Sequence, residues 1–105
     1  MKVECICIDA KNRPKEIPLN KWISEGMKYT IIHTGYTIET RLIACTLAEV
    51  KLGKINGLEI GFKIERFAFD EENYKNLQEL MKICTELNDV DISELLEEKE
   101  LEIIK

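Results

Sequence analysis

The fold is decided by residues 67–87, which read FAFDEENYKNLQELMKICTEL. The first three residues are apolar and end at Asp70, whose carboxylate can accept a hydrogen bond from a free backbone N–H at the start of a helix. Beyond Asp70, apolar side chains recur at three- and four-residue spacing, which is the period of one helix face; they are Tyr74, Leu77, Leu80, Met81, Cys84 and Leu87. This stretch predicts a strand that ends at Phe69 and an amphipathic helix that covers a sheet.

The segment upstream, residues 2–9, reads KVECICID and predicts a β-strand. Its apolar side chains fall on both faces, which is typical of a central strand: Val3, Cys5 and Cys7 on one, Ile6 and Ile8 on the other. Residues 10–18 contain both prolines of the chain and several charges, so they predict a loop. Asn20 can then cap one helical turn before Gly26 reverses the chain.

The middle of the chain predicts further strands, with two alternatives open. Residues 29–34 and 36–40 are rich in β-branched and aromatic residues and are divided by Gly35, so they form either a hairpin or one bulged strand. Residues 41–51 alternate as a strand does, although LIACTLAEVKL also suits a short helix. Asn56-Gly57 predicts a tight hairpin turn, and residues 58–69 its returning strand.

After the first helix, Asn88 predicts a stop and Asp91 can cap a second short helix. The following LEII either continues that helix or becomes extended. We therefore expect one α+β domain over residues 1–105, with a small bent antiparallel sheet in 1–69 and a helical part in 70–105.

A set of positions in the first part resembles a known group of proteins. Leu19, Gly26, Tyr29 and the β-branched 30–32, with Arg66-Phe67 near the end, are similar to short proteins of phages and mobile elements with an SH3-like barrel. The whole chain also resembles uncharacterised proteins of Bacteroides-type bacteria. The resemblance implies an SH3-like barrel over residues 1–69 and a bacterial or mobile-element setting, and it implies no catalytic residue.

The composition is that of an ordinary folded protein, with 45% hydrophobic and 33% charged residues. No apolar stretch approaches the roughly 20 residues of a membrane span, and the N-terminus does not read as a signal peptide. These observations predict a cytoplasmic protein with no membrane contact. Charge is unevenly divided, because residues 1–69 hold 11 Lys and Arg against 8 Asp and Glu, whereas residues 70–105 hold 4 against 12.

The four cysteines of the chain could form disulfides, bind a metal or lie in the core. Cys5, Cys7, Cys45 and Cys84 fall in apolar segments, so reduced, buried thiols are favoured. A metal site would need Cys5 and Cys7 to meet Cys45 or His33 from a neighbouring strand. A Cys-x-Cys pair within a strand is unlike the usual zinc knuckle, so we expect no metal and no other cofactor.

Catalysis is not predicted. The chain has one histidine, within a β-branched stretch, and no turn motif that would expose a nucleophile. Its adjacent glutamates lie in predicted helices, where solvation explains them. There is no glycine-rich phosphate loop, and no small-molecule ligand is evident. We expect a protein that is not an enzyme.

Two binding functions remain. The first is a protein-interaction or regulatory module that uses open sheet edges and the acidic C-terminal part, for a protein partner or for self-association. Exposed apolar side chains in that part would mark the interface; the candidates are Leu95, Leu96 and Ile103, with Ile104. The alternative is nucleic-acid binding by a basic loop near a tryptophan that could stack on a base; its residues are Lys11, Arg13, Lys15, Lys21 and Trp22.

Overall fold

The protein was analysed as a computed structural model, which describes residues 2–37, 40–55, 58–59, 61–84 and 92–104. The strands are β1 (Val3–Cys7), β2 (Lys28–Thr37), β3 (Leu42–Leu47), β4 (Lys54–Ile55), β5 (Leu58–Glu59), β6 (Phe62–Lys63), β7 (Phe67–Asp70) and β8 (Ile103–Ile104). The helices are α1 (Glu71–Cys84) and α2 (Ile92–Glu98), and short 3-10 turns occupy Leu19–Lys21 and Ile64–Arg66.

The α+β class is confirmed. Six strands form one sheet in the order β6-β3-β2-β1-β7-β8, and β4 pairs with β5 separately. The N-terminal strand β1 is central, as its two apolar faces predict, because it pairs antiparallel with both β2 and β7. The sheet is open in the described residues, with β6 and β8 at its two edges, so it does not form a closed barrel.

The sheet bends sharply between β6 and β7. These strands are separated only by the 3-10 turn Ile64–Arg66, yet three other strands lie between them in the sheet order. The rings of Phe62 and Phe67 meet edge to face on the concave side, with centroids 6.4 Å apart. The prediction of one continuous strand over residues 58–69 is wrong, because this turn interrupts it.

The two alternatives left open by the sequence are resolved. Residues 42–47 are a strand, and the helix alternative is wrong. Residues 28–37 form one long strand, and its register shifts between Ile31 and His33, so the bulge lies before Gly35. The Asn56-Gly57 turn lies outside the described residues, although β4 and β5 on either side pair antiparallel.

The helix boundary at Asp70 is confirmed. Its Oδ1 accepts a hydrogen bond from the backbone N–H of Asn73 at 2.7 Å, which is the capping geometry that the sequence predicts. From the apolar stripe, Leu77 and Met81 are fully buried against the sheet. The predicted stop at Asn88 and cap at Asp91 lie outside the described residues.

The helix α1 also replaces a missing strand beside β1. The pairing of β1 with β7 covers only Ile6 and Cys7, which leaves the start of β1 without a strand neighbour on that side. The side chain of Asn73 accepts from the backbone N–H of Glu4 at 2.8 Å, and that of Asn76 donates to the carbonyl of Lys2 at 2.9 Å. These amide side chains satisfy backbone groups that would otherwise lack partners.

The C-terminal segment departs from the predicted all-antiparallel sheet. Residues LEII turn extended, and β8 pairs parallel with β7. The backbone N–H of Phe69 donates to the carbonyl of Glu102 at 3.0 Å. In the described residues, no helix is long and apolar enough to cross a membrane.

Candidate functional site

The basic loop and Trp22 lie together at one end of the molecule, but the tryptophan is not available for stacking. Trp22 is buried, and its ring packs against Phe62 with centroids 5.2 Å apart. Its indole N–H donates to the carbonyl of Ala10 at 2.7 Å. Trp22 therefore closes this end of the core, and its burial leaves no free face to stack on a base.

Arg66, in the 3-10 turn before β7, holds the basic loop in place through its side chain. Its guanidinium carbon lies 5.1 Å from the centre of the Trp22 ring, a cation–π distance. Its Nη1 donates to the carbonyls of Asp9 at 3.2 Å and Lys11 at 2.7 Å, and lies 3.7 Å from the Asp9 carboxylate. The Arg66 side chain is only 13% exposed, whereas the Asp9 side chain that it faces is 51% exposed. Sequence reasoning used Arg66 only as part of the resemblance and missed this role.

A cleft of about 320 Å³, which we call the loop cleft, opens between the loop and the β6 edge. Its lining is Asn12, Pro14, Ile17, Trp22, Leu52, Gly61, Phe62, Lys63 and Arg66. The four predicted loop cations are exposed, and they alternate along the chain with lining residues of this cleft: Lys11, Arg13, Lys15 and Lys21. One of them, Arg13, donates to the carbonyl of Ile17 across the loop. The structure thus brings an apolar lining and cations together in one place.

Two of the four predicted apolar interface residues in the C-terminal part are buried. Leu95 and Leu96 are buried in the core, so they cannot mark an exposed contact surface. Adjacent leucines can both be buried here because α2 packs against α1. Ile103 is half-buried and Ile104 is 40% exposed, and both lie on the edge strand β8.

A second depression, the edge groove, lies between α1 and β8. It has a volume of about 470 Å³ and is lined by Glu71, Tyr74, Lys75, Gln78 and Ile103. Burial and the nearby charge of Glu97 raise the pKa of Tyr74, so its hydroxyl stays neutral at physiological pH. Ile103 is the one predicted interface residue that reaches this groove.

The cysteines are all free thiols. Cys5, Cys7 and Cys45 are buried on the core face of the sheet, and Cys84 is half-buried. Burial, and then the charge of Glu49, raises the pKa of Cys5 to about 12, and burial raises that of Cys45. His33 pairs with Thr46 on the opposite face and is exposed, so it does not join these thiols. Within the described ranges, no group of three or more acidic, Cys or His side chains is placed to hold a metal ion.

Comparison of this chain with known protein families, with curated proteins and with solved structures found no match. The candidate sites are therefore defined by their own geometry.

A substitution at Arg66 tests the architecture of the loop cleft. Arg66→Met keeps a long apolar stem but removes both carbonyl contacts, so we expect the free energy of unfolding to fall by about 1–3 kcal/mol. Trp22 fluorescence should shift to the red, and amide exchange in residues 9–12 should accelerate. Lys63→Met, on an exposed cation of the same cleft, is the control and should leave all three unchanged. Equal effects of the two variants would contradict the role of Arg66.

Proposed function

We propose that this protein is a non-enzymatic protein-interaction module that binds an extended basic segment of a partner by strand addition at β8. The observation that carries the proposal is an open sheet edge with a groove beside it. A strand added to such an edge gains main-chain hydrogen bonds, while alternate side chains enter neighbouring pockets.

The free backbone groups of β8 can be assigned from its register. In the parallel pair, Phe69 lies opposite Ile103 and its N–H bonds to Glu102. In a parallel ladder, the residue opposite such a donor directs its own N–H and C=O to the other side. The backbone of Ile103 therefore faces outward, and its N–H makes no hydrogen bond with another described residue.

The charge around this edge favours a basic partner. The segment that includes β8 belongs to the acidic part of the chain, and Glu100, Glu102 and Asp70 are exposed beside the strand. The edge groove next to it offers Tyr74 and Ile103 for an apolar side chain. An extended segment in which lysine alternates with valine offers positive charges to these acidic residues and an apolar side chain to the groove.

Strand addition is tested with the acetylated and amidated peptide KVKVKV and the matched control KVKPKV. The proline removes a donor and breaks the strand, so we expect the control to bind at least 10-fold more weakly in fluorescence anisotropy. On ¹⁵N-labelled protein, the shift changes should centre on residues 102–104. Equal binding of both peptides, or shifts spread over the acidic helices, would show only charge attraction.

Variants of Ile103 complete this test. Ile103→Pro removes the outward N–H but none of the hydrogen bonds to β7, so it should abolish the binding of KVKVKV. Ile103→Val keeps that N–H and should bind within about twofold of the natural protein. Retained binding by Ile103→Pro would contradict strand addition at β8, provided that circular dichroism shows both variants to be folded.

The proposed architecture is an SH3-like barrel that remains open. The order β7-β1-β2-β3-β6, with one 3-10 turn between β6 and β7, supports this assignment. The proposed location is the cytoplasm, which the four free thiols support because such thiols persist in reducing compartments.

The alternative of nucleic-acid binding keeps its four exposed cations but loses its stacking platform. Single-strand binders combine a basic groove with exposed aromatic rings. Trp22 is covered by Phe62 and Arg66, so the basic loop alone carries this alternative.

A further inference from the structure

The lining and the charges of the loop cleft suit a second binding site. Its partner would be acidic, whereas the partner proposed at β8 is basic. Its lining joins the apolar side chains of Pro14, Ile17 and Leu52 to the two aromatic rings, and its volume of about 320 Å³ lies within the range of ligand pockets. This volume accommodates one large aliphatic or aromatic side chain. An apolar anchor is therefore one feature of the expected partner.

The charges at the loop cleft are mainly positive. Lys63 and Arg66 line it, and the four exposed loop cations belong to the segment 11–22, which contributes Asn12, Pro14, Ile17 and Trp22 to the lining. The acidic residues of the same loop are Asp9, which already faces Arg66 at 3.7 Å, and Glu16. Carboxylates flanking the apolar anchor are the second expected feature.

Arg66 can bind such a carboxylate without releasing the loop. Both of its hydrogen bonds to described residues use Nη1. A guanidinium presents five donors in a planar fork, and its Nε and Nη2 form a second pair suited to a carboxylate. Neither atom makes a hydrogen bond with another described residue, and Arg66 lines the cleft.

We propose that the loop cleft binds an acidic peptide segment of a partner protein. An aliphatic or aromatic side chain enters the apolar pocket, and its flanking carboxylates bind Arg66, Lys63 and the loop cations. The site goes beyond the proposed function, because it lies at the β6 edge and takes a partner of the opposite charge from that at β8.

Two observations favour a peptide over other anions. The cations extend well outside the pocket, so a partner with several charges gains more than a small carboxylate does. Nucleic acid would have to bind without stacking its bases on Trp22, whose ring is covered by Phe62 and Arg66. An acidic peptide carries several charges for these cations, and it also places a side chain in the apolar pocket.

Trp22 is the only tryptophan of the chain, so its fluorescence reports directly on the loop cleft. The probe is a pool of acetylated, amidated EDEXEDE peptides with Leu, Ile or Phe at X. Three controls are EDEGEDE, which lacks the anchor, QNQFQNQ, which lacks charge, and an eight-residue oligo-dT. We expect the pool to change Trp22 fluorescence in a saturable way and to bind at least 10-fold more tightly than each control.

Two variants locate the site, and one serves as a control. Lys63→Gln should weaken binding by up to about fivefold, as expected for one exposed charge, and Leu52→Ala should weaken it by removing part of the apolar lining. Lys28→Gln, on an exposed cation of the sheet away from the cleft, should bind the pool normally. Tighter binding of oligo-dT, equal binding of EDEGEDE or no response to the pool would overturn the proposal. Binding of KVKVKV tests strand addition at β8, so its result is independent of these outcomes for the loop cleft.

Discussion

Replacing Phe67 with alanine should lower the free energy of unfolding by about 3–5 kcal/mol, the usual cost of a phenylalanine-sized hole in a core. Phe67 is fully buried in β7, where the sheet bends. Its ring meets Tyr29 at 6.3 Å and Phe62 at 6.4 Å between centroids, both edge to face. Such pairs add about 0.5–1.5 kcal/mol beyond the buried area. Urea denaturation followed by circular dichroism measures the loss.

Ile83→Ala is the matched control for this substitution. Ile83 is 72% exposed on α1, so its removal creates no cavity and should change the free energy of unfolding by less than about 0.5 kcal/mol. A loss below about 1 kcal/mol for Phe67→Ala would mean that the concave side of the sheet is not the closely packed core described above.

Alkaline pH should destabilise the protein, starting near pH 9. Burial raises the pKa of Cys5 from 9.0 to about 12 in the folded state. Below pH 9 the thiol is protonated in both states, so its contribution to stability is fully present. Between these pKa values the unfolded chain loses the proton while the folded chain keeps it, so stability falls as pH rises. At about 1.4 kcal/mol per pH unit, Cys5 alone accounts for a loss of about 2 kcal/mol by pH 10.5.

Cys5→Ala separates this effect from the titration of lysine and tyrosine. We expect a shallower decline of the unfolding free energy between pH 8 and 10.5 in this variant than in the natural protein. Cys45→Ala should act in the same direction, since burial raises the pKa of that thiol as well. Parallel pH profiles for all three proteins would exclude thiol ionisation as the cause.

The parts of the fold that the sequence predicts are those set by local chemistry. Asp70 marks the start of α1 because its carboxylate accepts the hydrogen bond of Asn73, three residues along the chain. Leu77 and Met81 are buried because four-residue spacing places both on one helix face. The central position of β1 follows from its two apolar faces.

The interruption of residues 58–69 could not be predicted in this way. Phe62 and Ile64 are both buried, as strand alternation predicts, although Ile64 begins a 3-10 turn. The backbone at Gly61 lies close to β3, since a Cβ there would come within 3.0 Å of the Cys45 carbonyl oxygen. Asn20 likewise does not cap a helix, because its 3-10 turn starts at Leu19 after Pro18. The close approach of Gly61 to Cys45 is a contact between residues distant in sequence, which local patterns do not show.

The candidate site was predicted only in part. The basic loop and Trp22 do lie together, because they are neighbours along the chain. Arg66 contacts the loop through a hydrogen bond from its Nη1 to the carbonyl of Lys11, which is 55 residues away in the sequence. No local sequence pattern predicts that contact. The burial of Leu95 and Leu96 does not follow from the sequence, because an apolar pair on a short helix suits a core and an interface equally well. Among the interface candidates, the pairing of β8 with β7 is what brings Ile103 to the edge groove.

The central position of β1 also bears on how the chain folds as it is synthesised. β1 is synthesised before β2 and β7 and can pair early with β2, but its other neighbour, β7, is made only when residues 67–70 appear. Closing so long a loop is slow, which favours folding in milliseconds to seconds rather than microseconds. Until then, one side of β1 is an unprotected template for intermolecular pairing, so a nascent chain that stalls before Asp70 is the form most prone to aggregate.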